Sequence, residues 1–146
     1  MKRLLLVLCV VLVVASLTVA AGGSTWVGFD TIVFGWPEYN YMGQMTGVSG
    51  IMLLGYGWRS YFNPVRVGQF NFYWEWGLQA AVLGLQGGIG LTFPVEIENI
   101  TLYLSGSINA AWGLVNLGLG FLDLGWLGKY AMVPYPYPMF GLAIVF

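Results

Sequence analysis

The chain contains no histidine and a single cysteine, Cys9. Catalysis by Ser-His-Asp or Cys-His groups therefore cannot take its usual form, and a histidine-based metal site is also excluded. Glu96 and Glu98 are two residues apart, as paired acid and base groups can be, but they fall in a predicted exposed turn. We therefore predict no enzyme activity, no catalytic, cofactor-binding or metal-binding residues, and no cofactor.

Charged residues are scarce as well, at 8% of the chain against about 25% in soluble domains. The net charge is -1, and the five basic residues are scattered, so no basic patch favours a nucleic-acid partner. What the chain has instead is 58% hydrophobic residues and a mean hydropathy of +0.76. A water-exposed surface needs more charge than this, so the mature part is expected to face lipid, to aggregate or to be buried in an assembly. The lipid bilayer is the predicted partner.

The N-terminus has the order of a secretory signal. Lys2 and Arg3 precede an apolar run from Leu4 to Val14, and small residues up to Ala21 follow it. We expect residues 1–21 to be a cleaved signal peptide and residues 22–146 to form one domain without cysteine or disulfides. A retained N-terminal anchor is the alternative.

Two architectures satisfy backbone hydrogen bonds in lipid, the helix and the closed barrel, and the apolar period separates them. Residues 69–76 and 100–109 alternate between large apolar and polar side chains, which predicts strands. Residues 48–58 alternate too, and the large residues on one face are Met52, Leu54, Tyr56 and Trp58, opposite Ser49, Gly55 and Gly57. The 22 glycines also argue against helices. The competing interpretation is a helical inner-membrane protein, because 78–95 and 114–127 are long, weakly polar runs.

The last seven residues alternate in the same way. Phe140, Leu142, Ile144 and Phe146 share one face, and the small or modest Gly141, Ala143 and Val145 share the other. This segment resembles the closing strand of bacterial outer-membrane β-barrel proteins. The resemblance implies location in the outer membrane and recognition of the C-terminal strand by the barrel-assembly machinery.

We therefore predict an all-β protein, an antiparallel up-and-down transmembrane β-barrel of eight strands. The predicted strands are 24–35, 45–58, 65–76, 78–86, 88–95, 100–109, 111–122 and 138–146. Turns are expected at Gly87-Gly88, at 96–99 and at Asn63-Pro64. The two longer connections, 37–44 and 123–137, are expected at the same end of the barrel.

Aromatic residues and prolines have two interpretations each. The seven tryptophans predict an aromatic girdle near the strand ends, with a ligand site as the alternative. They are Trp26, Trp36, Trp58, Trp74, Trp76, Trp112 and Trp126. Pro134-Tyr135-Pro136-Tyr137-Pro138 is predicted to stiffen the approach to the last strand, or alternatively to offer a rigid contact surface.

The charged residues inside the barrel are predicted to pair. Glu75 is expected to pair with Arg66 or Arg59, and Asp30 with a nearby donor; a polar relay or ion site is the alternative. The predicted function is a small integral outer-membrane barrel with a structural, adhesive or surface-interaction role, whose surface ligand the sequence does not identify. A narrow channel, or a carrier for a small apolar molecule, is the other candidate, since an eight-stranded barrel has little interior space.

Overall fold

The computed structural model describes residues 24–52, 55–122 and 133–146. The predicted signal peptide at 1–21 lies outside these residues, and so does Trp126. No helix in the described part of the chain is both long and apolar enough to cross a lipid bilayer.

Eight antiparallel strands close into an up-and-down barrel, which confirms the predicted fold class. Each strand pairs with the next along the chain, and β8 pairs with β1 to close the sheet. The strands are β1 Trp26–Phe29, β2 Ile32–Tyr39, β3 Met45–Met52, β4 Gly55–Tyr61, β5 Asn71–Gln79, β6 Gly84–Ile97, β7 Ile100–Gly113 and β8 Tyr135–Val145. A 3₁₀ turn, Ala80–Val82, joins β5 to β6, and an α-helix, α1 (Leu114–Phe121), follows β7.

Strand β5 shows how the sequence builds the wall. Its residues are alternately buried and exposed from Asn71 to Leu78, because a strand turns successive side chains to opposite faces. Tyr73 and Glu75 point into the lumen, and Trp74 and Trp76 point outward. Strands β7 and β8 follow the predicted alternation too, with Ala143 and Val145 inside and Phe140 and Leu142 outside.

The strand count was right although several boundaries were wrong. Residues 24–35 form two strands rather than one, because the chain turns at Asp30 and Thr31. Residues 45–58 likewise divide into β3 and most of β4, and Met52 points into the lumen instead of sharing a face with Tyr56 and Trp58. The strand predicted over 111–122 is wrong, because β7 ends at Gly113 and α1 begins at Leu114.

The predicted turn at Gly87-Gly88 is also wrong, because both glycines lie inside the continuous strand β6. The turn into β6 comes earlier, where Leu83 adopts a left-handed φ of 48°. The turn at 96–99 is confirmed in its second half, where Glu98 has a φ of 55° between β6 and β7. The break at Asn63-Pro64 is confirmed as part of the connection between β4 and β5.

The longer connections lie at opposite ends of the barrel, contrary to the prediction. Because 24–35 is a hairpin, β2 returns toward the end where the chain enters β1. The connection after Tyr39 is therefore at the N-terminal end, together with the β4–β5 connection and the β6–β7 turn. Helix α1 and the beginning of β8 lie at the other end, hereafter the α1 end, and most of 123–137 lies outside the described residues.

A row of glycines lines the inner wall of the first half of the barrel. Gly35, Gly50, Gly57 and Gly77 pair in register across β2, β3, β4 and β5. A Cβ atom on Gly50 would collide with the backbone of β2, so these strands approach too closely for a side chain. The Met52 sulfur covers Gly57 and Gly77 and occupies the space above them.

Candidate lumenal site

An arginine at the centre of the lumen organises the polar interior. Arg59 of β4 lies directly opposite Glu75 of β5 in the strand register. Asp30 reaches the same point from the β1–β2 turn. All three side chains are almost completely buried, since Arg59, Asp30 and Glu75 are 1%, 2% and 3% exposed.

The guanidinium of Arg59 binds both carboxylates. Nη1 and Nη2 donate to the two oxygens of Asp30 at 2.8 and 3.0 Å, which is a bidentate pair. Nε and Nη2 donate to Glu75 Oε2 at 3.0 and 2.8 Å. Thr31 completes the group, because its hydroxyl donates to the other Glu75 oxygen at 2.7 Å. We call these four residues the lumenal network.

Aromatic rings enclose the network on the side of the N-terminal end. The guanidinium carbon of Arg59 lies 4.0 Å from the ring centre of Tyr73 and 5.4 Å from that of Trp26. Both rings are fully buried, so these cation–π contacts form away from water, where they are strongest. Trp26 also donates from Nε1 to the backbone oxygen of Ile32 at 2.9 Å, which ties β1 to β2.

The network carries an excess of negative charge, with two carboxylates facing one guanidinium. Its groups are buried, and no group of three His, Cys, Asp or Glu residues within 24–52, 55–122 and 133–146 is placed to hold a metal ion. The hydrogen bonds of Arg59 make the arrangement a crosslink. It joins the β1–β2 turn, β4 and β5 through charge-assisted hydrogen bonds.

Further polar side chains line the lumen along β5, β6 and β7. Gln79 Nε2 donates to Gln86 Oε1 at 2.9 Å, and Asn109 Nδ2 donates to Ser107 Oγ at 2.8 Å. Among the described residues, Gln86 Nε2, Gln79 Oε1 and Asn109 Oδ1 are buried without a hydrogen-bond partner. Polar groups in such positions normally bind ordered water.

The outer wall has the opposite character. Large apolar side chains are exposed over the outer face of β5, β6, β7 and β8, and two of the tryptophans, Trp58 and Trp76, stack at 4.5 Å between ring centres. An apolar groove of about 600 Å³ runs along this wall, where Gly106 contributes no side chain between Leu91 and Phe140. The apolar side chains that flank this groove are Phe62, Phe72, Ile89, Leu91, Ile108, Pro138 and Phe140.

The structure brings three of the predicted charged residues together. The pairing of Glu75 with Arg59 is confirmed, and the donor for Asp30 is the same arginine. Arg66 does not pair with Glu75; its backbone N–H and C=O bind the side chain of Asn71, and its own side chain lies away from the lumenal network. Glu98 is exposed in the β6–β7 turn, as predicted, whereas Glu96 is exposed near the end of strand β6.

The described tryptophans are not all on the outer face, as the predicted girdle requires. Trp36, Trp74, Trp76 and Trp112 are exposed on the outer face, and Trp58 is half-buried beside Trp76. Trp26 is in the lumen, so it cannot be part of an outer girdle. Its place follows from β1, where it precedes Phe29 by an odd number of residues and therefore faces the other way.

Sequence reasoning missed two members of the site, Thr31 and Tyr73. The predicted strand 24–35 contains Thr31, and Thr31 reaches Glu75 only because the chain turns there. The sequence predicts the face of Tyr73 but not its contact with Arg59. Its position two residues before Glu75, on the same face of β5, was the available signal for that contact. No protein-family model matches this chain, and no curated protein or solved structure matches it either.

Proposed function

We propose that this protein is a small integral outer-membrane β-barrel with a structural or surface-interaction role and no catalytic activity. The observation that carries the proposal is the polarity of the wall: the ion-paired side chains lie in the lumen, and the outer face exposes large apolar residues. A soluble barrel has the reverse arrangement, since exposed apolar surface of this extent drives association in water.

The outer membrane is the proposed location because of the two chain ends. The N-terminal segment has the order of a secretory signal. The C-terminal strand resembles the signal that the barrel-assembly machinery reads, and Phe146 is partly exposed on the outer face of the wall. If the N-terminal end faces the periplasm, α1 faces outward, at the end where barrels carry their longer loops. Helix α1 is the proposed contact surface.

Insertion into lipid is the first test. Residues 22–146 would be refolded into phosphatidylcholine vesicles and tested by flotation, heat-modifiable gel migration and circular dichroism. We expect flotation with the vesicles and a β-sheet spectrum. The matched control is Ile89→Asn with Ile108→Asn, which places polar groups on the outer wall and should reduce insertion. A strongly helical spectrum, or equal insertion of both proteins, would contradict the proposal.

Recognition by the assembly machinery is tested separately in cells. The full chain and a Phe146→Ala variant would be expressed in a Gram-negative host, and the outer-membrane fraction quantified. We expect less of the variant in that fraction, while both proteins insert equally into vesicles. Equal amounts in the outer membrane would remove the C-terminal signal from the proposal.

A narrow channel is the second candidate, and the unpartnered amides of Gln86 and Asn109 favour it because they indicate a hydrated portion of the lumen. The lumenal network crosses the lumen between β1, β4 and β5 and narrows any such path. We therefore expect no single-channel conductance from the protein in planar bilayers. Discrete conductance steps would favour the channel over the structural role.

A further inference from the structure

The strand that closes the barrel has two unequal edges. Along one edge, β8 pairs with β7 without interruption from Val145 to Tyr135. Along the other edge, β1 pairs with it only from Val145 to Leu142, where β1 ends at Phe29. On the α1 side of Leu142, no described residue pairs with that edge of β8. We call the stretch from Pro134 to Phe140 the open edge.

The lumenal network explains why β1 ends there. Asp30 follows Phe29 directly, and its carboxylate turns inward to bind Arg59. The side chain of Asp30 lies against Gly141, where a Cβ atom would collide with it. The chain therefore leaves the β8 ladder at Asp30 and returns as β2.

The direction of each backbone group in β8 follows from the closing hydrogen bonds. Phe146 and Thr25 exchange two backbone hydrogen bonds, at 3.1 and 3.3 Å. In an antiparallel ladder, alternate residues direct both N–H and C=O to the same neighbour. The register of β8 shifts nowhere, so its even-numbered residues face β1 and its odd-numbered residues face β7.

The even-numbered positions of the open edge are Pro134, Pro136 and Pro138, followed by Phe140. Proline has no N–H, and within sheets it is confined to positions where that group would face away from the ladder. The three prolines therefore leave the β7–β8 hydrogen bonds intact and remove the donors from the open edge. A bare edge with its donors is a template for another strand, and unpaired donors are costly in lipid.

We infer that the proline triplet is a block against edge-to-edge pairing of β8 with a second copy of this chain. The block deepens the proposed function, on which it rests, because two barrels in one membrane present these edges to each other. An incoming strand would find three carbonyl acceptors and no donors at the prolines, so a continuous ladder cannot form. The lumenal network creates the open edge, and the prolines keep it unpaired.

The test restores the donors. Pro136→Val with Pro138→Val adds two N–H groups to the open edge and keeps apolar side chains on the outer wall. Pro64→Val is the matched control, because it makes the same change in the β4–β5 connection, away from β8. All proteins would be refolded into detergent micelles and into vesicles. The mass of protein in each micelle would be measured by light scattering, after the contribution of the detergent is subtracted.

We expect the double variant to be a dimer, with twice the protein mass of the natural chain, while the natural chain and the Pro64→Val control remain monomeric. Phe140→Cys, introduced into each background of residues 22–146, should form disulfide-linked dimers in the double variant only. A monomeric double variant with a barrel spectrum would overturn the inference, and so would equal crosslinking in all backgrounds. If the double variant does not refold, Pro138→Val alone is measured in the same way, with the same deciding outcomes.

Failure of this inference is distinguishable from failure of the proposed function. A natural chain that does not float with vesicles contradicts the membrane proposal, whatever its mass. If the chain carrying only Phe140→Cys inserts into vesicles but already forms disulfide-linked dimers, the result contradicts only the proline block.

Discussion

The lumen and the outer wall of this barrel are built from the same strands but face opposite environments. In β5, Glu75 binds Arg59 in the lumen, whereas Trp74 and Trp76, on either side of it, are exposed on the outer wall. The comparison teaches that moving a charged side chain by one residue along a strand changes its effect on stability, because neighbouring residues face opposite sides of the wall. A charge is tolerated inside, where a partner is fixed, and would be costly outside if that wall faces lipid, as we propose.

Removing the lumenal arginine should have the largest effect. Arg59→Met leaves Asp30 and Glu75 buried without their shared partner, and breaking such a pair costs about 3–5 kcal/mol of unfolding free energy. Urea unfolding in vesicles measures the loss. Arg66→Met is the control, because the Arg66 side chain lies outside the network, and it should change stability by less than about 0.5 kcal/mol. Equal effects of the two substitutions would mean that the network does not stabilise the barrel.

Placing a charge on the outer wall should have the next largest effect. Ile108 is 59% exposed on β7, and Ile108→Arg should cost about 2–4 kcal/mol if the residue lies near the bilayer midplane. The loss of unfolding free energy should appear when the protein is unfolded from vesicles. It should be smaller in mild detergent, where the guanidinium of the new arginine reaches water more easily. Asn99→Arg, in the β6–β7 turn, should have little effect. An Ile108→Arg protein as stable as the natural chain in vesicles would show that this wall does not face lipid.

Neutralising one carboxylate should have a smaller effect than removing the arginine. Glu75→Gln keeps the shape of the side chain but weakens hydrogen bonds from Arg59, which are worth about 1.5–3 kcal/mol to a charged group. The loss should lie at the lower end, because the substitution also removes the excess negative charge next to Asp30. Full stability of Glu75→Gln in the same urea assay would count against an important pair. A loss as large as that of Arg59→Met would show that Asp30 alone cannot hold the arginine.

Disrupting an aromatic contact on the outer wall should have the smallest effect. The Trp58 and Trp76 rings stack with an interplanar angle of 21°, and such pairs contribute about 0.5–1.5 kcal/mol beyond their area. Trp76→Leu keeps an apolar outward side chain, so it should cost only about that amount. A double-mutant cycle with Trp58→Leu isolates the coupling energy. A coupling near zero would show that lipid replaces the contact without loss.

The sequence predicted the elements in which one face is apolar and the other polar. The alternation of 71–76, 100–109 and 140–145 placed the side chains on the correct faces, because strand geometry has a strict period of two; Gln69, predicted to face the lumen, is exposed before β5 begins. It also predicted that Glu75 and Asp30 would be paired inside. It did not choose between Arg59 and Arg66, because this choice depends on the register of β4 against β5.

The errors come from places where tertiary contacts override local signals. Gly87-Gly88 has the composition of a hairpin turn, but both residues lie within the long β6, where they pair with β5 and β7. The Asp30–Thr31 turn contains neither glycine nor proline, so the strongest local turn signals are missing there. The turn is held because the carboxylate of Asp30 binds a buried guanidinium that is 29 residues away in the chain.

The sequence by itself determined that this chain is rich in apolar residues and poor in charge, that it forms strands, and that it has no histidine for Ser-His-Asp or Cys-His catalysis. Composition and a period of two decide these properties residue by residue. Only the tertiary structure decided where β1 ends, which arginine holds the two carboxylates, and why three prolines occupy alternate positions at the open edge of β8. These properties depend on which strand lies beside which, and closing the barrel fixes that order through hydrogen bonds between distant parts of the chain.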